Sequence, residues 1–301
     1  MSSTYEPLIA AVRRWYRTAK RDLPWRGEHV SPWAVMVSEF MLQQTPVTRV
    51  VPAFREWLQR WPTPAALAAD SPGEAVRMWG KLGYPRRALR LHAAAVTITT
   101  EHNGAVPSDP ARLKALPGVG DYTAAAVAAF AFGRRVAVVD TNVRRVVHRA
   151  VLGAADAGPS TTKGDFALVD SMLPQAPADA AHASIALMEL GALVCTAKKP
   201  LCADCPLLPA CAWVAAGKPS YAGPPRRIQR FAGTDRQVRG LLMDVLRSSD
   251  GPVPPSSLDV VWHDDVQRLR ALDGLIADGL TVLTGDGHYT LPDRSPVEGD
   301  Q

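Results

Sequence analysis

The sequence predicts an all-α body carrying a small winged-helix-like appendage, on three observations. Segments with apolar residues at helical spacing follow one another up to about residue 250, no run alternates polar and apolar residues before that point, and a short hairpin pattern occurs only near the end. A chain of 301 residues with 47% hydrophobic and 21% charged residues has a globular composition and can bury one or two ordinary cores. The apolar run Ala124 to Phe132 is nine residues, far short of a membrane span, and the first twenty residues carry charge where a signal peptide would be apolar. A cytoplasmic protein with no membrane partner is expected.

The net charge is +5, but it is unevenly placed. From Leu241 onward four arginines face eleven acidic residues, a net of −7, so residues 1–240 carry +12. The basic part is a candidate for a polyanionic partner such as nucleic acid; the acidic part is not.

Residues 7–20 place Leu8, Ile9, Val12, Trp15 and Tyr16 on one helical side, and the Leu23-Pro24-Trp25-Arg26-Gly27 segment ends that run. Ser31 before Pro32 is an N-cap and first-turn signal, so the apolar stretch after it is predicted to be a buried helix. Within it Glu39 stands among Val35, Met36, Val37, Phe40, Met41 and Leu42. A carboxylate there is costly unless paired or protonated. Full burial raises a carboxyl pKa by up to ~3 to 5 units, which makes Glu39 a candidate proton donor. The alternative puts Glu39 on a wet face beside Ser38 and Gln43. Helices are predicted over 47–61, 65–69, 72–82 and 86–101, with the turn Gly83-Tyr84-Pro85 before the last of these and Arg86, Arg87 and Arg90 on it; a short helix over 109–115 follows.

The stretch 116–147 then reads as helix, hairpin, helix. Pro117 removes a backbone donor and stops the preceding helix, and Gly118 and Gly120 permit a tight turn around Val119. The next helix opens with unpaired N–H groups and the positive end of its dipole, where a phosphate fits. A plain corner between two helices is the alternative. Asp140 stands at the head of a further helix, a position that favours the ionised carboxylate.

All four cysteines fall within seventeen residues, Cys195, Cys202, Cys205 and Cys211, spaced C-x6-C-x2-C-x5-C. Two disulfides suit a secreted protein, and a four-thiolate zinc site usually shows two short cysteine pairs where this segment has one. A [4Fe-4S] cluster, which accepts four thiolates from one compact loop, suits the spacing better than either.

Three of these segments, Ser38 to Thr45, Leu116 to Val143 and the cysteine loop, occur in an order that resembles the base-excision DNA glycosylases of the endonuclease III superfamily, and within it the MutY-type adenine glycosylases. The resemblance covers about residues 5–215. It implies a helix-hairpin-helix fold of two helical lobes: a six-helix lobe over 29–134, and a lobe of 1–28 with 135–222 that carries a [4Fe-4S] cluster on the four cysteines. It also implies a monomer acting on double-stranded DNA with an A:8-oxoguanine or A:G mispair, and a substrate cleft between the lobes. Superfamily members that nick the strand carry a lysine where Tyr122 stands, which forms a Schiff base with the sugar; a phenol cannot, so a monofunctional enzyme is expected.

Breaking the N-glycosidic bond to adenine needs a proton on the departing base and leaves positive charge on the sugar, so two carboxyls in different protonation states are required. The resemblance assigns N7 protonation to Glu39 and oxocarbenium stabilisation to an ionised Asp140, with Tyr122 and Asn142 completing the site. It assigns the adenine pocket to Arg21, Leu23, Trp25, Arg26, Leu42 and Glu189. DNA contacts fall to Gln44 and Tyr84, which wedge into the opened stack, and to Gly118, Val119 and Gly120 of the hairpin. His148 and His182 receive no role.

The sequence departs from those relatives after a proline- and arginine-rich linker placed at 223–235. They carry a MutT-like domain with an FSH-type motif, which is not found here. Residues 236–292 read instead as helices over 236–247, 256–262 and 265–278 and a hairpin over 281–290 that turns at Gly285-Asp286-Gly287, with a tail at 293–301. A net of −7 points this module toward a protein contact or intramolecular packing and away from phosphates. Two other readings stand beside the adenine glycosylase: a thymine or uracil mismatch glycosylase of the same superfamily, and a non-catalytic iron-sulfur DNA-binding protein.

Overall fold

The computed structural model describes residues 4–27, 29–221, 223 and 231–293. Most of the expected linker (224–230) and of the expected tail (294–301) lies outside the described residues. Fifteen α-helices follow one another among the described residues. The first six are α1 (Glu6–Ala19), α2 (Pro32–Leu42), α3 (Val47–Arg60), α4 (Pro64–Ala68), α5 (Pro72–Trp79) and α6 (Arg86–Glu101). Next come α7 (Pro110–Ala115), α8 (Asp121–Phe132), α9 (Thr141–Ala150), α10 (Lys163–Met172), α11 (Pro177–Leu193) and α12 (Ala212–Ala215). The chain closes with α13 (Asp235–Ser248), α14 (Pro255–Asp259), α15 (Asp265–Ala277) and the antiparallel strands β1 (Val282–Leu283) and β2 (Tyr289–Thr290). No helix among the described residues is long and apolar enough to cross a membrane.

Local chemistry sets the helix boundaries. Ser31, Thr63, Ser71, Asp140 and Asp264 each accept a hydrogen bond from a first-turn amide, and Thr162 with Asp165 forms a reciprocal capping box at the head of α10. The segment 72–82, expected as one helix, is broken: α5 ends at Trp79 and a 3-10 turn follows, because Gly80 takes φ 50°. A left-handed residue there cannot continue an α-helix.

The described residues form two compact units, one drawn from 1–36, 108–115 and 119–225, the other from 37–107, 116–118 and 226–301. In the first, α1, α9 and α11 pack around Ile9, Val12, Val143, Val147, Leu187 and Leu190. Gly191 lets α11 approach α9, since a Cβ there would lie 2.7 Å from the Asn142 backbone oxygen.

In the second unit Trp57 packs edge-on against Trp61 and Trp79, with ring centroids 4.6 and 5.6 Å apart. Beside this cluster lies Arg87, 6% exposed, whose guanidinium donates to Phe40 O (2.9 Å), Met41 O (3.2 Å), Gln43 O (2.5 Å), Thr45 Oγ1 (3.0 Å) and Gly83 O (2.9 Å). One side chain thereby satisfies the open carbonyls at the end of α2 and ties them to the turn before α6. Burial lowers its pKa to about 10, which leaves it cationic at neutral pH.

The C-terminal residues of this unit form the three helices and hairpin read from the sequence, with Val253 pairing to Tyr289 as a further bridge beside the hairpin. They pack on α5: Arg247 Nε donates to Val76 O (3.2 Å), and Arg77 Nη1 donates to Ser249 O (2.8 Å). Gly73 permits the closest approach, because a Cβ there would meet Pro292 O at 2.5 Å.

Replacing Arg87 by Met keeps its volume but strands several buried carbonyls, each worth about 1–3 kcal/mol when unsatisfied. Denaturant unfolding of Arg87→Met is expected to show a loss of about 3–5 kcal/mol; a loss below about 1 kcal/mol contradicts the clamp.

Candidate active site

Glu39 lies in the last turns of α2 with 5% of its surface exposed, and its neighbours Met36, Val37, Ser38, Phe40 and Met41 are fully buried. It is therefore not on a wet face. Just beyond the helix Gln44 takes φ 56°, and Tyr84, in the turn before α6, takes φ 48°; both side chains are exposed. Non-glycine residues in the left-handed region are held there at a cost of order 1 kcal/mol or more, here offset by the Arg87 hydrogen bonds to Gln43 and Gly83, the residue before each. Leu42, at the end of α2, is half-buried.

The hairpin residue Gly118 takes φ 77°, and a Cβ on it would lie 2.6 Å from Arg90 Cβ and 3.1 Å from Phe40 Cε1. Glycine is required there by both conformation and space. Val119 is buried, and Gly120 is the N-cap of α8, so no side chain caps the first-turn amides of that helix. Those amides and the dipole are available to an anion.

Asp140 caps α9. Its Oδ1 accepts from Val143 N at 2.6 Å and its Oδ2 from Asn142 Nδ2 at 2.7 Å. Burial raises its pKa above the ordinary value despite these two bonds and the nearby Arg145 charge. The helix head favours the ionised carboxylate, and burial acts in the opposite direction. Asn142 is held in turn by Arg145, whose Nη2 donates to Asn142 Oδ1 (2.8 Å) and Gly191 O (2.7 Å) and whose Nε donates to Cys195 O (2.6 Å). Sequence reading gave Arg145 no part; its place one turn after Asn142 on α9 was the available signal. Tyr122, half-buried on the first turn of α8, packs against the cluster of Ala125, Ala126, Ala129, Val138 and Ala181.

Of the residues expected around adenine, the structure joins Arg21, Arg26 and Glu189. Glu189 is fully buried on α11 and accepts from Arg21 N (3.0 Å), Nε (2.8 Å) and Nη2 (2.7 Å), while Arg26 Nη1 approaches to 2.8 Å. Against the cost of burial, the Arg21 hydrogen bonds and the Arg26 charge hold its pKa at about 2. Leu23 and Trp25 are buried on the same segment as the arginines. His148, read as having no role, binds Asp165 Oδ1 at 2.6 Å; Asp165, also paired with Arg144 at 3.1 Å, supplies the α10 cap. That cluster is structural.

Cys195, Cys202, Cys205 and Cys211 are free thiols that line one small cavity. Arg149 Nη1 donates to Cys195 Sγ at 3.5 Å, with its guanidinium 4.7 Å from the Trp213 ring. Burial pushes the Cys205 thiol up to about 11 and raises Cys195 as well. Four sulfur donors around one cavity, with a cation beside them, suit a tetrathiolate group whose net charge is negative. The four thiols share this cavity, but as arranged they do not form a metal-binding group among the described residues.

Residues 37–169 match the HhH-GPD superfamily of base excision DNA repair proteins. Solved structures agree on the fold. A thermostable thymine-DNA glycosylase superposes with TM-score 0.63 at 25% identity, over 69% of this chain and 95% of that one. An endonuclease III–DNA complex superposes with TM-score 0.60 at 22% identity, over 72% and 99%. The fold and the match together define a DNA N-glycosylase of base excision repair. An adenine DNA glycosylase of Mycobacterium tuberculosis is 56% identical over 92% of this chain and 91% of its own length, and that of Mycolicibacterium smegmatis is 57% identical over 92% and 93%. The human adenine DNA glycosylase is 41% identical over 65% of this chain and 37% of its own length. The chain belongs to the adenine DNA glycosylase family.

The Glu189 pair carries a pH signature. Its folded pKa of about 2 lies below the ordinary 4.5, so its contribution is complete above the unfolded value and is lost as pH falls through the folded one. A shift of this size corresponds to about 3 kcal/mol. The stability gap between wild type and Glu189→Gln should shrink by about that much between pH ~6 and pH ~2, read by denaturant unfolding. A gap that stays constant with pH contradicts the ion pair.

Proposed function

We propose that the enzyme is monofunctional and removes adenine mispaired with 8-oxoguanine or guanine. The observation that carries this reading is the burial of Glu39 in an apolar helix that ends just before the strained, exposed Gln44, with the strained, exposed Tyr84 in the turn before α6. Glu39, in its apolar setting, donates the proton to adenine N7, and the departing base leaves neutral. Asp140, its carboxylate held by Val143 N and Asn142 Nδ2, stabilises the cationic sugar. Gln44 and Tyr84 fill the space the adenine vacates, at an unstacking cost of ~a few kcal/mol that is lower at a mispair. Arg21, Leu23, Trp25, Arg26, Leu42 and Glu189 receive the base. Cys195, Cys202, Cys205 and Cys211 would hold a [4Fe-4S] cluster, which when bound cross-links the loop they share.

Tyr122 supports monofunctional chemistry, because water and not an amine must then take the sugar carbon. The likeness to a thymine-DNA glycosylase of Aeropyrum pernix, 36% identical over 67% of this chain and 94% of its own length, supports a second reading, thymine or uracil removal from mismatches. Labelled A:8-oxoguanine, A:G and G:T duplexes, treated with alkali after incubation, separate the two readings. Breaks on the adenine strands are expected; breaks on the thymine strand alone overturn the adenine assignment.

Glu39→Gln is expected to bind the A:8-oxoguanine duplex as wild type does while losing at least ~100-fold in single-turnover excision, a typical general-acid contribution. Equal rates remove Glu39 from the mechanism. Tyr122→Lys is expected to gain strand nicking that borohydride traps as a covalent adduct; absence of any adduct contradicts the placement of Tyr122 beside the sugar.

A further inference from the structure

The C-terminal module has no part in the chemistry above, yet one of its helices lines a deep cleft of its unit. That cleft, of about 650 Å³, lies among the end of α2, α6 with the turn before it, and α13. Eight arginines and lysines line it against two aspartates, a net of six positive charges in a segment pair whose C-terminal part is acidic overall. Arg49, Arg86 and Arg90 are exposed on the helical-body side and Arg236 is exposed on α13. The acidic sum from Leu241 onward hides this distribution: Arg236 and Arg239 precede it in sequence, whereas Asp264, Asp265 and Asp273 do not line the cleft.

Ion pairs fix the two walls. Asp278, at the end of α15, takes Arg86 at 3.1 Å and Arg239 at 2.5 Å. Arg236 sets its guanidinium 5.8 Å from the Tyr84 ring. Tyr84 is 48% exposed and Phe231, also lining the cleft, is 54% exposed, so two open aromatic faces border the cations. Cations with interleaved exposed aromatics form the surface that tracks a nucleic-acid backbone. The cleft also begins at Gln44 and Tyr84, the residues read above as meeting the opened stack.

We propose that this cleft is a phosphate-binding groove for the substrate DNA, in which Arg236 of the C-terminal module contacts the backbone beside the lesion. The assignment rests on the DNA glycosylase reading and extends the DNA interface onto α13. Such a contact positions the duplex and carries no base information.

The test is fluorescence anisotropy of an A:8-oxoguanine duplex with a non-cleavable adenine nucleotide, across a salt series, with single-turnover excision measured in parallel. Arg236→Ala should weaken binding about 5- to 10-fold at low salt and lower the slope of log K against log salt by about 0.9, the loss of one phosphate contact. The effect should be equal on matched and mismatched duplexes, and the excision rate at saturating enzyme should stay unchanged. Arg236→Lys should retain the slope, and Arg236→Glu should weaken binding further. Arg270→Ala removes an exposed arginine that pairs with Asp235 and does not line the cleft, so it should behave as wild type. Wild-type affinity and slope in both Arg236→Ala and Arg236→Glu overturn the proposal. Failure of wild type itself to excise adenine would instead overturn the parent reading.

Discussion

A single buried guanidinium sets much of the local geometry around Glu39. Arg87 donates to the last carbonyls of α2 and to Gln43 and Gly83, the residues before Gln44 and Tyr84, so the helix that carries Glu39 and the two strained residues are tied to one charge. A helix end buried without such a partner would leave several carbonyls unsatisfied. In exchange the cation loses its hydration, which is why burial depresses its pKa. Stability and the geometry around Glu39 meet at this side chain, although it touches neither base nor sugar in the proposed mechanism.

The first unit repeats the device with the charges reversed. Glu189 is wholly buried and is kept ionised by two arginines, and Asp165 serves in the same way for Arg144 and His148. Asp140 differs from both. No arginine or lysine pairs with it within ion-pair distance among the described residues; it is held by an amide and the Asn142 side chain, and burial raises its pKa. A carboxylate in such surroundings is poorly solvated, and a cation forming near it is stabilised more strongly than it would be in water. The hydrogen bonds from Asn142 and Arg145 restrict the side-chain motion that would otherwise weaken that effect.

Much of this was legible in the sequence, and the remainder was hidden for identifiable reasons. Cap residues such as Ser71 and Asp140 and the hairpin glycine Gly118 carry local signals, so helix starts and the tight turn were readable. The Glu39 environment was readable because its neighbours in sequence are also its neighbours in the helix. Arg87 was not: Arg86, Arg87 and Arg90 look alike in sequence, and only tertiary packing buries the second and leaves the others exposed. The raised pKa of Asp140 depends on burial contributed by distant segments, whereas its helix-cap position is local. The cationic cleft was masked because Arg236 and Arg239 stand just before the acidic stretch in sequence, and most of the other cations that line it come from the helical body.

The central claim is that a neutral acid and a carboxylate anion act on one extruded nucleotide. The most direct measurement is a crystal structure of the enzyme on a duplex in which a cationic pyrrolidine replaces the sugar of the adenine nucleotide, opposite 8-oxoguanine. The account predicts the Asp140 carboxylate within about 3 Å of the ring nitrogen and the Glu39 carboxyl facing the space left by the base. A pyrrolidine bound with either carboxyl turned away toward solvent contradicts it.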